Sequence, residues 1–418
     1  MNLPSIPRKL SSDHVFMLTM LVVNAGNYIY NLLVGRILGP SEFSDAAILI
    51  TFLLVLSFLG MTFQIVVAKY AVLYENQKLQ LFVVTVTKFA VFFGVIFGAF
   101  ILFFSEELQI LFHTKTAAMF ILFAMGIPLY FLMSVNRGLY QGGNNLNRMS
   151  ITYITEMVSR LFLTVALVLL VPTLPTSVAV AAGISMSLIF GLFPFQKNIG
   201  VRTNISKTNE ILDTKSIVTF FALTAFYELT QIIINNSDII LVKHYFNSKE
   251  AGLYASLALI GRVVYFVAWM FVMLLLPKVI LLKKEGKDTL PILMKYVGYI
   301  AVLSVGIILF TFLFPAFVVK VMFGEKYISI AFLLWKYALA TSVFAIANIF
   351  AYYFLSMNKY IPVIISAVLG LAQIGLIVLF HNSLQQVVEM QIIAMLILLF
   401  FQLCFFFNHN KKNARLYK

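Results

Sequence analysis

Twelve long apolar stretches, each closed off by charge or turn residues, constrain this chain more than any other feature. They run over residues 14–37, 43–68, 80–104, 117–137, 149–171, 176–195, 216–242, 251–277, 290–315, 328–356, 360–381 and 386–408. A helix needs about 20 mainly apolar residues to cross a bilayer, and a spanning segment must satisfy its own backbone. Barrel strands would alternate apolar and polar residues over about 10 positions, whereas these stretches are longer and apolar on every side. The chain therefore reads as an all-α membrane protein of about 12 transmembrane helices. Composition agrees, with 61% hydrophobic and 11% charged residues against about 45–50% and about 25% in a soluble domain. That excludes an ordinary soluble enzyme, a disordered chain and a nucleic-acid-binding domain.

The net charge of +14 points to the membrane rather than to nucleic acid. Basic residues collect in cytoplasmic loops, where they face anionic lipid. With both termini placed in the cytoplasm, 20 of the 30 Lys and Arg fall on that side, six on the other and four inside spans. This asymmetry sets the orientation. The N-terminal stretch before His14 reads as a cytoplasmic tail leading into an uncleaved first span. The single cysteine, Cys404, lies in an apolar run and reads as a small packed or lipid-facing hydrophobe.

The loops are short. The longest external ones, 105–116 and 316–327, have about 12 residues, and the longest cytoplasmic one, 196–215, about 20. A membrane polymerase or ligase needs a sizeable external domain around its active site, so those activities are disfavoured. No Walker sequence, HExxH or Cys/His cluster is present, which leaves no built-in ATPase or zinc chemistry. No cofactor is expected.

The chain divides into two similar halves. A shift of 208 residues pairs Asn27 with Asn235, Leu33 with Leu241, Val34 with Val242 and Glu42 with Glu250. Six spans per half give two lobes of like orientation, a parallel repeat found in transporters. The expected organisation is an N-lobe over 1–195, a cytoplasmic inter-lobe loop over 196–215 and a C-lobe with basic tail over 216–418. The two lobes are expected to be related by a pseudo-twofold axis, with the substrate site between them.

Polar residues inside the spans carry the functional argument. Asn24, Asn27 and Asn31 fall within an arc of about 60° on the first span, at about 100° per residue. Glu228, Gln231, Asn235 and Asp238 fall within about 80° on the seventh. Such stripes are costly against lipid and should face a partner lobe or a wet cavity. Arg160 and Arg262 lie deep in the fifth and eighth spans. Guanidinium suits phosphate oxygens, so a cationic cavity points to a substrate carrying phosphate or pyrophosphate. The alternative is structural pairing, of Arg160 with Glu156 one turn away and of Arg262 with Glu228 or Asp238. Lys88 and Lys336 lie close enough to span ends to snorkel, and are also candidates for the lumen.

The segments VGRILGPSEFSDAA (34–47) and DIILVKHYFNSKEAGLYASLALIGR (238–262), with the two six-span lobes, resemble the polysaccharide-export branch of the MOP exporters. These are the Wzx-type lipid-linked oligosaccharide flippases. The resemblance implies an alternating-access flippase in the bacterial cytoplasmic membrane. Its substrate is a polyprenyl-pyrophosphate-linked oligosaccharide destined for surface polysaccharide. It also implies coupling to an H+ or Na+ gradient, with Arg160 and Arg262 at the head group and Glu156, Glu228 and Asp238 as counter-charges or ion-coupling groups. Membrane lipids and other polysaccharide-assembly membrane proteins are the implied partners. A multidrug or cation antiporter of the same superfamily is the main competing reading, since deep carboxylates also suit a cationic substrate.

Overall fold

The computed structural model describes residues 12–194 and 212–416, apart from 266, 269–270, 272–274, 276–278, 280–281, 284 and 358. The N-terminal tail with Arg8 and Lys9, and most of the expected inter-lobe loop, lie outside the described residues. Everything described is helix or short connection, and no strand occurs among the described residues.

In the first half the helices are α1 (Ser12–Leu38), α2 (Pro40–Leu73), α3 (Asn76–Phe103), the short α4 (Ser105–Leu111), α5 (Ala118–Gly142), α6 (Leu146–Leu170) and α7 (Thr176–Phe190). The second half has α8 (Thr214–Tyr245), α9 (Ser248–Gly261), α10 (Leu290–Leu313), the short α11 (Pro315–Met322), a 3-10 turn (Glu325–Leu333), α12 (Leu334–Ser356), α13 (Ile361–Leu379) and α14 (Leu384–Leu416). Ten of the described helices are long and apolar enough to cross a membrane. The sixth expected span is the shorter apolar helix α7. The eighth begins as α9, and part of its remainder lies outside the described residues.

The repeat is visible in the element order. Helix starts at Pro40 and Thr176 recur 208 residues later at Ser248 and Leu384. The segments expected as external loops are largely helical, and α4 and α11 occupy matching places in the two halves. Both follow a span directly and begin with a short side chain, Ser105 or Pro315, suited to a first helical turn.

By packing, the chain divides into one unit of Met1–Val34 with Leu56–Glu228 and a second of Gly35–Val55 with Leu229–Lys418. The cuts fall inside α1, α2 and α8 rather than at the loop between the sequence halves.

Within the first unit, small residues set the helix spacing. A side chain at Gly94 would meet the Pro128 backbone at 2.7 Å, and one at Gly98 the Ala124 carbonyl at 2.9 Å. This GxxxG face of α3 packs backbone to backbone on α5. A second such pair, Gly138 and Gly142 of α5, seats against α2 at Gln64 and Ala68, at 2.6 Å and 2.5 Å. Close approach of this kind is how membrane helices associate where lipid removes the hydrophobic drive between them. Within the second unit, Ile234, Phe344, Ala347, Met395 and Leu398 join α8, α12 and α14 in one apolar cluster. Hydroxyls along the spans are satisfied locally: Thr51, Thr62, Thr85 and Thr311 each donate to a carbonyl four residues back. The exposed surface carries large apolar side chains such as Phe100, Phe103, Val302 and Phe400, as a lipid-facing surface requires.

Candidate functional site

Both units enclose buried charged clusters among the described residues. In the first unit the cluster is built on α1, α5 and α6. Glu156 is buried on α6 with two guanidinium groups around it. Arg137 of α5 donates to Glu156 Oε2 at 2.7 Å, and to the Thr152 hydroxyl and carbonyl at 3.0 and 3.1 Å. Its guanidinium also lies 3.7 Å over the Tyr153 ring. Arg160, one turn beyond Glu156, reaches Glu156 Oε1 at 3.3 Å and donates to Asn27 Oδ1 of α1 at 2.8 Å. Arg160 Nε is buried with no hydrogen-bond partner among the described residues, as are Asn31 Oδ1 and Tyr28 Oη.

Two guanidiniums and one carboxylate leave this cluster with a net charge of +1. In a partly desolvated site a unit charge about 4 Å from an anion is worth roughly 4 kcal/mol before desolvation is counted. The cluster also continues toward one end of the helices, because Tyr153 donates to Gln64 Oε1 at 3.1 Å and Gln64 to Gln141 Oε1 at 3.0 Å. The result is a polar ladder from Gln141 to Asn27 inside an otherwise apolar unit.

The second cluster is neutral and closed. Asp238 of α8 is fully buried. It accepts from Arg262 at 2.9 Å, Tyr254 at 3.1 Å and Tyr337 at 2.7 Å. Arg262 directs two further donors to the Tyr337 hydroxyl and Asn236 Oδ1, both at 3.3 Å. Beside it lies a small cavity of about 20 Å³, bordered by Asn235, Arg262, Tyr337, Thr341, Gln373 and Gln391. The side-chain oxygens of Gln373 and Gln391 have no partner among the described residues.

The sequence-selected residues thus fall into groups. Arg160, Glu156 and Asn27 come together in one cluster, with Asn31 nearby on the same helix face. Arg262 takes Asp238 rather than Glu228 as its carboxylate. Asn235 borders the cavity but donates to its own helix, at the Gln231 carbonyl, at 2.8 Å. Gln231 is buried with its side-chain oxygen unpartnered among the described residues. Glu228 is half-buried and makes no hydrogen bond or ion pair among the described residues. Asn24 and Lys88 are exposed on α1 and α3. Lys336 pairs with the partly exposed Glu389 at 2.8 Å.

Arg137 is the residue that sequence reasoning missed. Its place at the inner end of a span puts it in the cytoplasmic count. Side chains on a helix lean toward its N-terminus, and Arg137 lies near the C-terminal end of α5, so its side chain leans back along the helix toward Glu156. The usable signal was the presence of Glu156 on the next helix.

One family model and several solved structures match this chain. A family model described as polysaccharide biosynthesis protein matches residues 33–332. The structure is similar to a multidrug resistance MATE family transporter of the MOP superfamily in its inward-facing conformation, with a TM-score of 0.76 at 14% identity. That match covers 93% of this chain and 96% of the other. It is also similar to the lipid II flippase MurJ in an inward closed conformation, with a TM-score of 0.71 at 16% identity, covering 93% of this chain and 86% of the other. A MOP superfamily transporter from Pyrococcus furiosus, described by the reverse polarity of its binding pocket, aligns with a TM-score of 0.55 at 14% identity, covering 92% and 93%. The comparison with curated proteins found no match. The fold is that of these multi-pass membrane transporters.

Proposed function

This chain belongs to the polysaccharide biosynthesis protein family, and we propose that it is an alternating-access flippase for a polyprenyl-pyrophosphate-linked oligosaccharide. It would act in the bacterial cytoplasmic membrane, in the assembly of surface polysaccharide. The observation that carries this reading is the net-positive Arg137–Glu156–Arg160 cluster buried in the first unit. A mid-membrane charge that is not cancelled is expensive and is kept where a ligand or ion compensates it. Pyrophosphate is such a ligand, and Arg160, with Nε unpartnered, is the group placed to meet it. Asn27 and Asn31 flank it from α1. The prenyl tail stays in lipid throughout, so no bond is made or broken.

Glu228 supports ion coupling. As a half-buried carboxylate with no ion pair among the described residues, it is the group in this chain suited to take up H+ or Na+ during the cycle. Glu156 and Asp238 are committed to arginines and serve as counter-charges.

The test is transfer of a labelled polyprenyl-pyrophosphate oligosaccharide across vesicles containing the purified protein. Transfer that is lost in Arg160→Ala is the expected result. Proton-coupled efflux of organic cations with no lipid transfer would overturn the proposal in favour of a multidrug antiporter.

A further inference from the structure

Glu156 is positioned to neutralise Arg160 and does so only in part. At i, i+4 on one helix the two side chains are natural partners, and a carboxylate can bind a guanidinium with both oxygens. Instead, one oxygen is taken by Arg137 at 2.7 Å, while the other meets Arg160 at the longer distance of 3.3 Å. Arg137 is held on Glu156 by its two bonds to Thr152 and by the Tyr153 ring beneath its guanidinium. Arg160 is held more loosely, with its guanidinium 5.6 Å from the Tyr30 ring. It divides its amino group between Glu156 and Asn27 and leaves Nε open.

We propose that Arg137 is a positioning residue that, without touching the substrate, draws Glu156 away from Arg160 and so keeps the site cationic for a pyrophosphate head group. This rests on the reading above that Arg160 contacts that group. Without Arg137, Glu156 Oε2 is released, and the Glu156–Arg160 pair can close into a neutral bidentate bridge. The anion would then meet a satisfied arginine rather than an open one.

The consequence is an affinity order set by the charge of the cluster and not by the identity of any one side chain. Wild type, Arg137→Lys and the double variant Arg137→Gln/Glu156→Gln all carry +1. Arg137→Gln carries zero, and Glu156→Gln carries +2. Binding of geranylgeranyl pyrophosphate to purified protein in detergent, with geranylgeraniol as the uncharged control, reads this order directly. Arg137→Gln should weaken the pyrophosphate by about tenfold or more. Arg137→Lys and the double variant should lie close to wild type, and Glu156→Gln should bind more tightly. The alcohol should bind all variants alike.

Thermal unfolding of each variant identifies any that fail to fold, and the order can still be read from those that remain. A double variant as weak as Arg137→Gln, or a Glu156→Gln variant no tighter than wild type, overturns the proposal. Arg160→Ala separates the two levels of the argument. If it binds the pyrophosphate as wild type does, the head-group reading itself fails. If it loses binding while the charge order is absent, only the role of Arg137 fails.

Discussion

Lys243→Met tests how the start of α2 is held against the end of α8. The side chain of Lys243 is 2% exposed and that of Asp45 is 3% exposed. The ammonium donates to Asp45 Oδ1 at 2.7 Å, Ser44 Oγ at 2.9 Å and Ser248 Oγ at 3.5 Å. Three acceptors surround three N–H groups, so the ion is fully solvated by protein. Deleting one member of such a pair leaves the Asp45 charge buried without its ammonium, at a cost of about 3–5 kcal/mol. Replacing both members with apolar side chains of similar volume is often neutral or stabilising. Lys243→Met should therefore unfold far earlier than wild type, and Asp45→Leu/Lys243→Met should recover most of the loss. Thermal unfolding followed by intrinsic fluorescence in detergent measures this. At about 2 °C per kcal/mol for a large chain, the single variant should fall by roughly 6–10 °C. If the double variant falls as far as the single, packing and not charge holds the junction, and the electrostatic argument is wrong. If the single variant unfolds with wild type, water reaches the pair and the burial argument is wrong.

Arg262→Met should lose folded protein as well as transport, because it leaves fully buried Asp238 with only the Tyr254 and Tyr337 hydroxyls, again a cost of about 3–5 kcal/mol. A variant that elutes as a folded protein and lacks only transport would make Arg262 a head-group contact instead. Gly252→Ala should destabilise by about 1–3 kcal/mol in the same unfolding assay, since its Cβ would run into the Pro40 carbonyl oxygen. Outside the spans, Asp213 accepts from the Ser216 hydroxyl and amide at the start of α8, which hold its carboxyl below the usual range. A depressed folded value means that the contribution is present above about pH 4 and fades as pH falls through the folded value. The protection of the Ser216 amide, referred to the rate of an unstructured amide at the same pH, should fall over that range, and Asp213→Ala should lack that protection at every pH.

Helix positions were legible because lipid imposes a length and an apolar composition on each span, and both are properties of consecutive residues. The repeat was legible for the same reason, and the 208-residue shift read from Asn27, Glu42 and their counterparts returns in the helix starts at Pro40 and Ser248. Partners were not legible, because they depend on which helices adjoin and at what depth. Arg36, Lys69, Arg137 and Lys243 all sit near the C-terminal ends of long helices, where side chains lean back along the helix and into the membrane. Arg36 and Lys69 are exposed all the same, whereas Arg137 and Lys243 are buried. What separates the pairs is a carboxylate on a neighbouring helix, Glu156 for Arg137 and Asp45 for Lys243. Glu156 is 19 residues away and Asp45 is 198. An inward lean is thus common to all basic residues at such ends, and burial follows only where an acid at the same depth cancels the charge. The first cluster departs from that rule by one charge. Glu156 is shared between Arg137 and Arg160, and Arg160 keeps an open Nε among the described residues, the feature on which the proposed anion contact rests.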